Sequence, residues 1–116
     1  MKKIFIAGHA GMVGSALYRC LLRRGVSRSS ILTATRRELD LTSQSQVTKF
    51  LSHKKPDTVI LAAAKVGGIE ANRSFPYEFL NNNLSIQSNI LNSCLINRIS
   101  NICFLGSSCM YPNEAK

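Results

Sequence analysis

Acidic residues are scarce in this chain: six Asp and Glu stand against fifteen Lys and Arg in 116 residues, a formal net charge of +9 at pH 7. That imbalance brings a polyanionic partner or an anionic ligand into consideration. A further absence argues against nucleic acid. The basic clusters are pairs such as Arg23-Arg24, Arg36-Arg37 and Lys54-Lys55, with no longer run and no interleaved aromatic stripe. No apolar run approaches the roughly eighteen residues that a membrane span requires, and Met1 to His9 is broken by glycine too early for a secretory signal. The cysteines at 20, 94, 103 and 109 form no C-x-x-C pair and have no His at ligand spacing, so neither a metal site nor a disulfide framework is expected. The chain therefore reads as cytoplasmic and reduced. With 45% apolar residues, 18% charged residues, seven Gly and three Pro, it is expected to fold around one core.

What is present is an alternation of element types. Lys2 to Ala7 is a short apolar run that stops at glycine, as a buried parallel strand would. Val13, Leu17, Leu21 and Leu22 recur at helical spacing between Met12 and Arg24, and Gly25 stands where a helix C-terminal glycine belongs. Ile31 to Thr35 reads as a second strand. Ser43 with Gln46 is a candidate capping box opening a helix to Lys54, which Pro56-Asp57 breaks. Thr58 to Ala63 is a third strand, and Lys65 to Gly68 a loop. Pro76 then opens a helix of about twenty residues carried by Phe79, Leu80, Leu84, Ile90, Leu91, Cys94 and Leu95. Ile102 to Gly106 is a fourth strand. Parallel neighbours need right-handed crossovers, so the order implies an α/β fold: a Rossmann-like doubly wound parallel sheet with helices on both faces. Residues 1–116 read as one such domain, truncated after its fourth strand.

The chemistry concentrates at the strand ends. Gly8, Gly11 and Gly14 form G-x-x-G-x-x-G between a strand and a helix, where side chains would block a tight turn, the approach of a pyrophosphate, or helix-on-strand packing. A helix N-terminus beside them favours an anion. His9 lines this loop. After the second strand comes Thr35-Arg36-Arg37-Glu38, where an arginine fork suits a 2′-phosphate and points to NADP rather than NAD, while Glu38 keeps a carboxylate close by. Asp40, before Leu41, either contacts adenine or caps the next helix. The small residues Ala62, Ala63 and Ala64 let a cofactor lie flat, or simply pack tightly. Of Asn81, Asn82, Asn83 and Asn89, poor helix formers, some are expected to face polar groups and others solvent. Ser107, Ser108 and Cys109 follow a parallel strand, where ligands gather in open α/β sheets, although serine pairs are also ordinary turn formers.

Three stretches carry a more specific likeness: Gly8-His9-Ala10-Gly11-Met12-Val13-Gly14-Ser15-Ala16, Leu61-Ala62-Ala63-Ala64-Lys65-Val66-Gly67-Gly68-Ile69 and Phe104-Leu105-Gly106-Ser107-Ser108-Cys109-Met110-Tyr111-Pro112. The chain resembles the GDP-L-fucose synthase family, within the extended short-chain dehydrogenases/reductases, from Lys3 to Lys116. That family epimerises C3 and C5 of GDP-4-keto-6-deoxy-D-mannose and reduces C4 with NADPH. The resemblance implies a pyrophosphate site at Gly8, His9, Ala10, Gly11, Met12, Val13 and Gly14. It implies an adenosine site at Arg36, Arg37, Glu38, Leu39, Asp40 and Leu41, with Arg36 toward the 2′-phosphate. Ala62, Ala63 and Ala64 would lie along the cofactor, and Leu105, Gly106, Ser107 and Ser108 at its nicotinamide end. Ser107 would hydrogen-bond the C4 keto oxygen, and Cys109 would protonate carbon during epimerisation. A GDP-sugar substrate and a homodimer of the full-length protein are implied as partners.

The departures from the family pattern are equally specific. Its catalytic tyrosine and lysine, its histidine and its substrate domain lie beyond this stretch, and Tyr111, with Ala115 four positions later, does not reproduce the pair. Asp40 stands where some relatives carry Asn. The chain alone is therefore expected to be inactive, and the rival readings are a non-catalytic dinucleotide-binding remnant or a basic nucleic-acid binder.

Overall fold

Four parallel strands, β1 (Ile4–Ala7), β2 (Ile31–Leu32), β3 (Thr58–Leu61) and β4 (Asn101–Phe104), form one sheet in the order β2-β1-β3-β4. The computed structural model describes residues 2–63 and 76–105. Among the described residues, three α-helices lie between the strands: α1 (Met12–Arg23), α2 (Gln44–Lys54) and α3 (Pro76–Ile96). The step from β1 to β2 runs one way along the sheet, whereas the steps from β2 to β3 and on to β4 run the other way. With right-handed crossovers, α1 therefore lies on one face and α2 and α3 on the opposite face. This is the doubly wound, Rossmann-like arrangement expected from the order of the elements.

Strand alternation distributes the core. Phe5 and Ala7, level with Val59 and Leu61, turn toward α2 and α3, where they pack with Val47, Leu51, Ile86, Ile90 and Cys94. Ile6 points the other way and is fully buried too, so both faces of β1 are covered. The Phe5 and Phe50 ring centroids lie 4.8 Å apart at a tilted 47°.

The ends of the elements have local causes. α1 stops as Gly25 anticipated: at φ +91° its N–H donates to the Leu22 carbonyl, while the Val26 N–H donates to that of Leu21. That pair of bonds is a Schellman motif. α3 ends on the same pattern with Arg98 in the left-handed position at φ +58°, its N–H donating to Leu95 O and that of Ile99 to Cys94 O. The strands are shorter than the apolar runs suggest. β2 pairs with β1 only at Ile4↔Ile31 and Phe5↔Leu32, because Thr35 begins a turn whose own hydrogen bonds compete with the ladder.

The inner face of α3 differs from the one expected. Leu84, Leu91 and Leu95 are exposed, and the packed stripe is Ile86, Asn89, Ile90, Ser93 and Cys94, a true i, i+3, i+4, i+7, i+8 series. Two polar residues can occupy it because α2 supplies partners for Ser93 and the Leu41 carbonyl accepts from Asn89. Ser93, fully buried, accepts from Gln44 Nε2 at 2.8 Å and lies 2.8 Å from Thr48 Oγ1. Asn97 Nδ2 closes the seam on Ser93 O at 2.8 Å. Among the described residues every buried side-chain nitrogen or oxygen has a partner. No described helix is long and apolar enough to cross a membrane.

Candidate functional site

In a doubly wound sheet a crevice opens where neighbouring strands send their connections to opposite faces, here at the carboxyl ends of β1 and β3. A cleft of about 520 Å³ lies there, lined by Gly8, His9, Ala10 and Gly11 after β1, by Ala62 and Ala63 after β3, and by Ala34, Thr35, Arg36, Leu39, Asp40, Leu41 and Thr42 after β2. Asn82 and Ile86 of α3 complete the described wall. Alanines and the buried Leu39 give it an apolar surface, suited to a flat ring system, beside a basic rim at Arg36.

The three glycines divide the work. At Gly8, φ is +91° and an added Cβ would lie 2.6 Å from the Ala63 backbone nitrogen, so the turn and the neighbouring strand end both demand glycine. At Gly14 a Cβ would overlap the Gly8 carbonyl oxygen, so α1 can pack under the loop only without one. Gly11 is different. A Cβ there would meet nothing nearer than Gly8 O at 3.6 Å, an ordinary contact. Its bareness is required by nothing in the fold and leaves space on the cleft side.

Gly11 is also the residue immediately before α1, and no side chain caps that helix and no acidic residue stands in its first turn. Its first-turn N–H groups and the positive end of its dipole are therefore available to an anion at the cleft. The fit to the pyrophosphate of a dinucleotide follows: an open glycine, an uncapped helix start and a concave wall at one strand end.

The segment after β2 builds the opposite wall through its own hydrogen bonds. Thr35 N–H donates to Glu38 Oε1 at 2.9 Å, and Glu38 N–H donates to Thr35 Oγ1 at 3.3 Å. Bonds to the carboxyl from the Thr35 backbone N–H and then its side chain hold Glu38 below its ordinary range. Asp40 Oδ1 accepts from Thr42 Oγ1 at 2.6 Å and from Thr42 N–H at 3.0 Å, which lowers that carboxyl as well. The Asp40 N–H donates to Gln46 Oε1 at 3.0 Å. The expected capping box at α2 is thus only half formed. Ser43 Oγ accepts from Gln46 N–H at 3.4 Å, but the Gln46 side chain reaches past Ser43 to Asp40, whose N–H would otherwise lack a partner. From α3, the buried Asn89 donates to Leu41 O at 2.9 Å and ties the wall to the core.

The structure brings Gly8, His9, Ala10, Gly11, Arg36, Leu39, Asp40, Leu41, Ala62 and Ala63 together, as the sequence suggests. Gly14 is buried beneath the loop, while Met12, 87% exposed, and Val13 stand away from the described lining. Arg37 does not line the cleft, Glu38 lines a neighbouring groove, and Leu105 lies exposed after β4. Ala64, Gly106, Ser107, Ser108 and Cys109 lie outside the described residues. Sequence reasoning passed over Thr35 and Thr42, whose signal was present in the spacing Thr35-x-x-Glu38 and in the Asp40–Thr42 pair. Among the described residues, no group of His, Cys, Asp and Glu could hold a metal ion.

Comparison with known proteins agrees with this geometry. The family model described as Epimerase, the NAD dependent epimerase/dehydratase family, matches residues 4–116. GDP-L-fucose synthase 1 of Arabidopsis thaliana is 50% identical over 113 residues, which are 97% of this chain and 34% of that protein. GDP-L-fucose synthase of Escherichia coli (strain K12) is 46% identical over 115 residues, 99% of this chain and 35% of that protein. Among solved structures, the GDP-mannoheptose C4 reductase from Campylobacter jejuni with NADP bound superposes with a TM-score of 0.90 at 40% identity, covering 99% of this chain and 33% of that one. The chain thus spans about a third of the length of the relatives it matches.

Proposed function

The chain belongs to the NAD dependent epimerase/dehydratase family, and from that premise we propose that it is the amino-terminal, NADP-binding part of a GDP-L-fucose synthase. The proposed activity of the whole protein is epimerisation at C3 and C5 of GDP-4-keto-6-deoxy-D-mannose and reduction at C4 with NADPH. A GDP-sugar would then be its substrate partner, and the full-length protein a homodimer. The observation that carries the cofactor assignment is Arg36 on the rim of a cleft whose far side is the open Gly11 and the uncapped start of α1.

In this reading the N–H groups of α1 hold the pyrophosphate, and the Arg36 guanidinium pairs with the 2′-phosphate. Leu39, Ala34 and Leu41 form the apolar bed for the adenine. When bound, the nicotinamide supplies the hydride for the C4 ketone. Ser107 donates a hydrogen bond to the C4 keto oxygen, and that polarisation makes the neighbouring C–H bonds acidic. Once a base of the full-length protein has taken one of those protons, Cys109 returns a proton to that carbon, a task suited to a thiol because its reference pKa lies not far above neutrality.

Arg36→Ala in the native full-length polypeptide tests the cofactor reading. A charge-assisted bond to phosphate is worth about 1.5–3 kcal/mol, so NADPH affinity is expected to fall about ten-fold or more beyond any loss for NADH. Equal losses for the two dinucleotides would remove the 2′-phosphate role. Oxidation of NADPH that depends on the added GDP-keto sugar tests the activity, and dinucleotide binding without that turnover would leave the non-catalytic reading standing. Cys109→Ser is expected to impair epimerisation while sparing reduction.

A further inference from the structure

Two side chains of opposite charge, Arg36 and Glu38, stand only two positions apart after β2. A carboxylate at this end of a dinucleotide fold accepts from the ribose hydroxyls of NAD and repels a 2′-phosphate. The structure separates the pair across one turn. Arg36 lines the cleft, whereas Glu38 lines the adjoining groove on the other side of Leu39, with Lys49, His53 and Lys54.

The separation is enforced by bonds inside the turn. Thr35 N–H donates to Glu38 Oε1 at 2.9 Å, and Glu38 N–H donates back to Thr35 Oγ1 at 3.3 Å. The Thr35 carbonyl accepts from Glu38 N–H at 3.1 Å and from Leu39 N–H at 2.9 Å. This is the reciprocal exchange of a capping box, yet it opens no helix, since residues 36–38 form a turn and α2 begins at Gln44. Its product is a fixed wall segment with Arg36 on the cleft side.

We propose that Thr35 and Glu38 form a lock that sets the preference for NADP over NAD: Glu38 is a positioning residue that fixes the Arg36 turn and keeps its own carboxylate away from the ribose. The inference rests on the NADP reading above. It opposes the simplest electrostatic expectation. If Glu38 merely repelled the 2′-phosphate, removing it would tighten NADPH. A lock predicts the reverse, because Glu38→Ala leaves the Thr35 N–H without its side-chain acceptor and frees Arg36 to move. Glu38→Gln keeps an acceptor oxygen while removing the charge.

The experiment is titration of the native full-length polypeptide with NADPH and with NADH, for the wild type and for Arg36→Ala, Glu38→Ala, Glu38→Gln and Thr35→Val. Glu38→Ala is expected to lower the NADPH-to-NADH affinity ratio about ten-fold, Thr35→Val less, and Glu38→Gln to keep it within about three-fold. General destabilisation would weaken both dinucleotides together and leave the ratio untouched. An unchanged or raised ratio in Glu38→Ala, with Arg36→Ala still abolishing the preference, overturns the lock and spares the NADP reading. A ratio that Arg36→Ala does not change overturns the NADP reading itself, and the lock with it.

Discussion

α1 and α2 begin in opposite ways. α2 starts inside a self-contained set of hydrogen bonds: Ser43 caps Gln46, Gln46 reaches Asp40, and Asp40 accepts twice from Thr42. α1 starts at Gly11 with no side-chain cap and no acidic residue in its first turn. Both helices must satisfy the donors of their first turn. A helix that serves only the fold does so with its own neighbours, whereas one whose start faces a cleft leaves those donors to a ligand. The contrast separates first-turn donors that the chain satisfies itself from those that the proposed reading gives to the dinucleotide.

The sharpest test of that division lies within the glycine loop. Gly14→Ala forces a Cβ into the Gly8 carbonyl, a clash between backbone atoms with no flexible side chain to yield. A loss of about 3 kcal/mol or more is expected in denaturant unfolding. An unchanged midpoint would show that α1 can shift away from the loop. Gly11→Ala is the counterpart, with a Cβ that meets only Gly8 O at 3.6 Å. Its thermal midpoint is expected to stay at the wild-type value while dinucleotide affinity falls about ten-fold. Retained affinity would mean that phosphate does not approach α1 here.

Smaller effects belong to the α2 side. Ser43→Ala removes the side-chain cap and is expected to cost about 1 kcal/mol of stability with no change in dinucleotide affinity, read by unfolding and titration in parallel. A selective loss of affinity would assign that end of α2 to the site. The smallest effect is expected in acid. The carboxyls of Glu38 and Asp40 are held below their ordinary values by hydrogen bonds from Thr35 and Thr42. Their contribution is present above the ordinary carboxylate range and is lost as pH falls through the lowered values. Amide-exchange protection around residues 35–43, corrected for the intrinsic rate, should therefore fall in acid before protection in the first turn of α1, which has no carboxylate to lose. Simultaneous loosening would erase the distinction.

Much of this was legible along the chain. The strand, glycine loop and helix of the first 25 residues occur where the apolar runs and Gly25 place them, and Gly8, Gly11 and Arg36 line one cleft. α3 was misread in detail. Leu84, Leu91 and Leu95 help carry its helical period but are exposed, and the buried face includes Asn89 and Ser93, because α2 and the Leu41 carbonyl lie opposite and supply partners. Thr35 was passed over, since its bonds to Glu38 matter only once β2 delivers the turn to the cleft.

By itself the sequence determined the alternation of strands and helices, the turn at Gly25 and the residue types at the strand ends, since period, glycine and charge act over a few positions. Only the tertiary structure decided which glycine belongs to the fold and which faces the cleft, on which side of the turn Glu38 lies, and which polar residues of α3 are buried. Those outcomes depend on backbone and side chains brought together from distant positions, as when Ala63 closes on Gly8 and Gln44 meets Ser93.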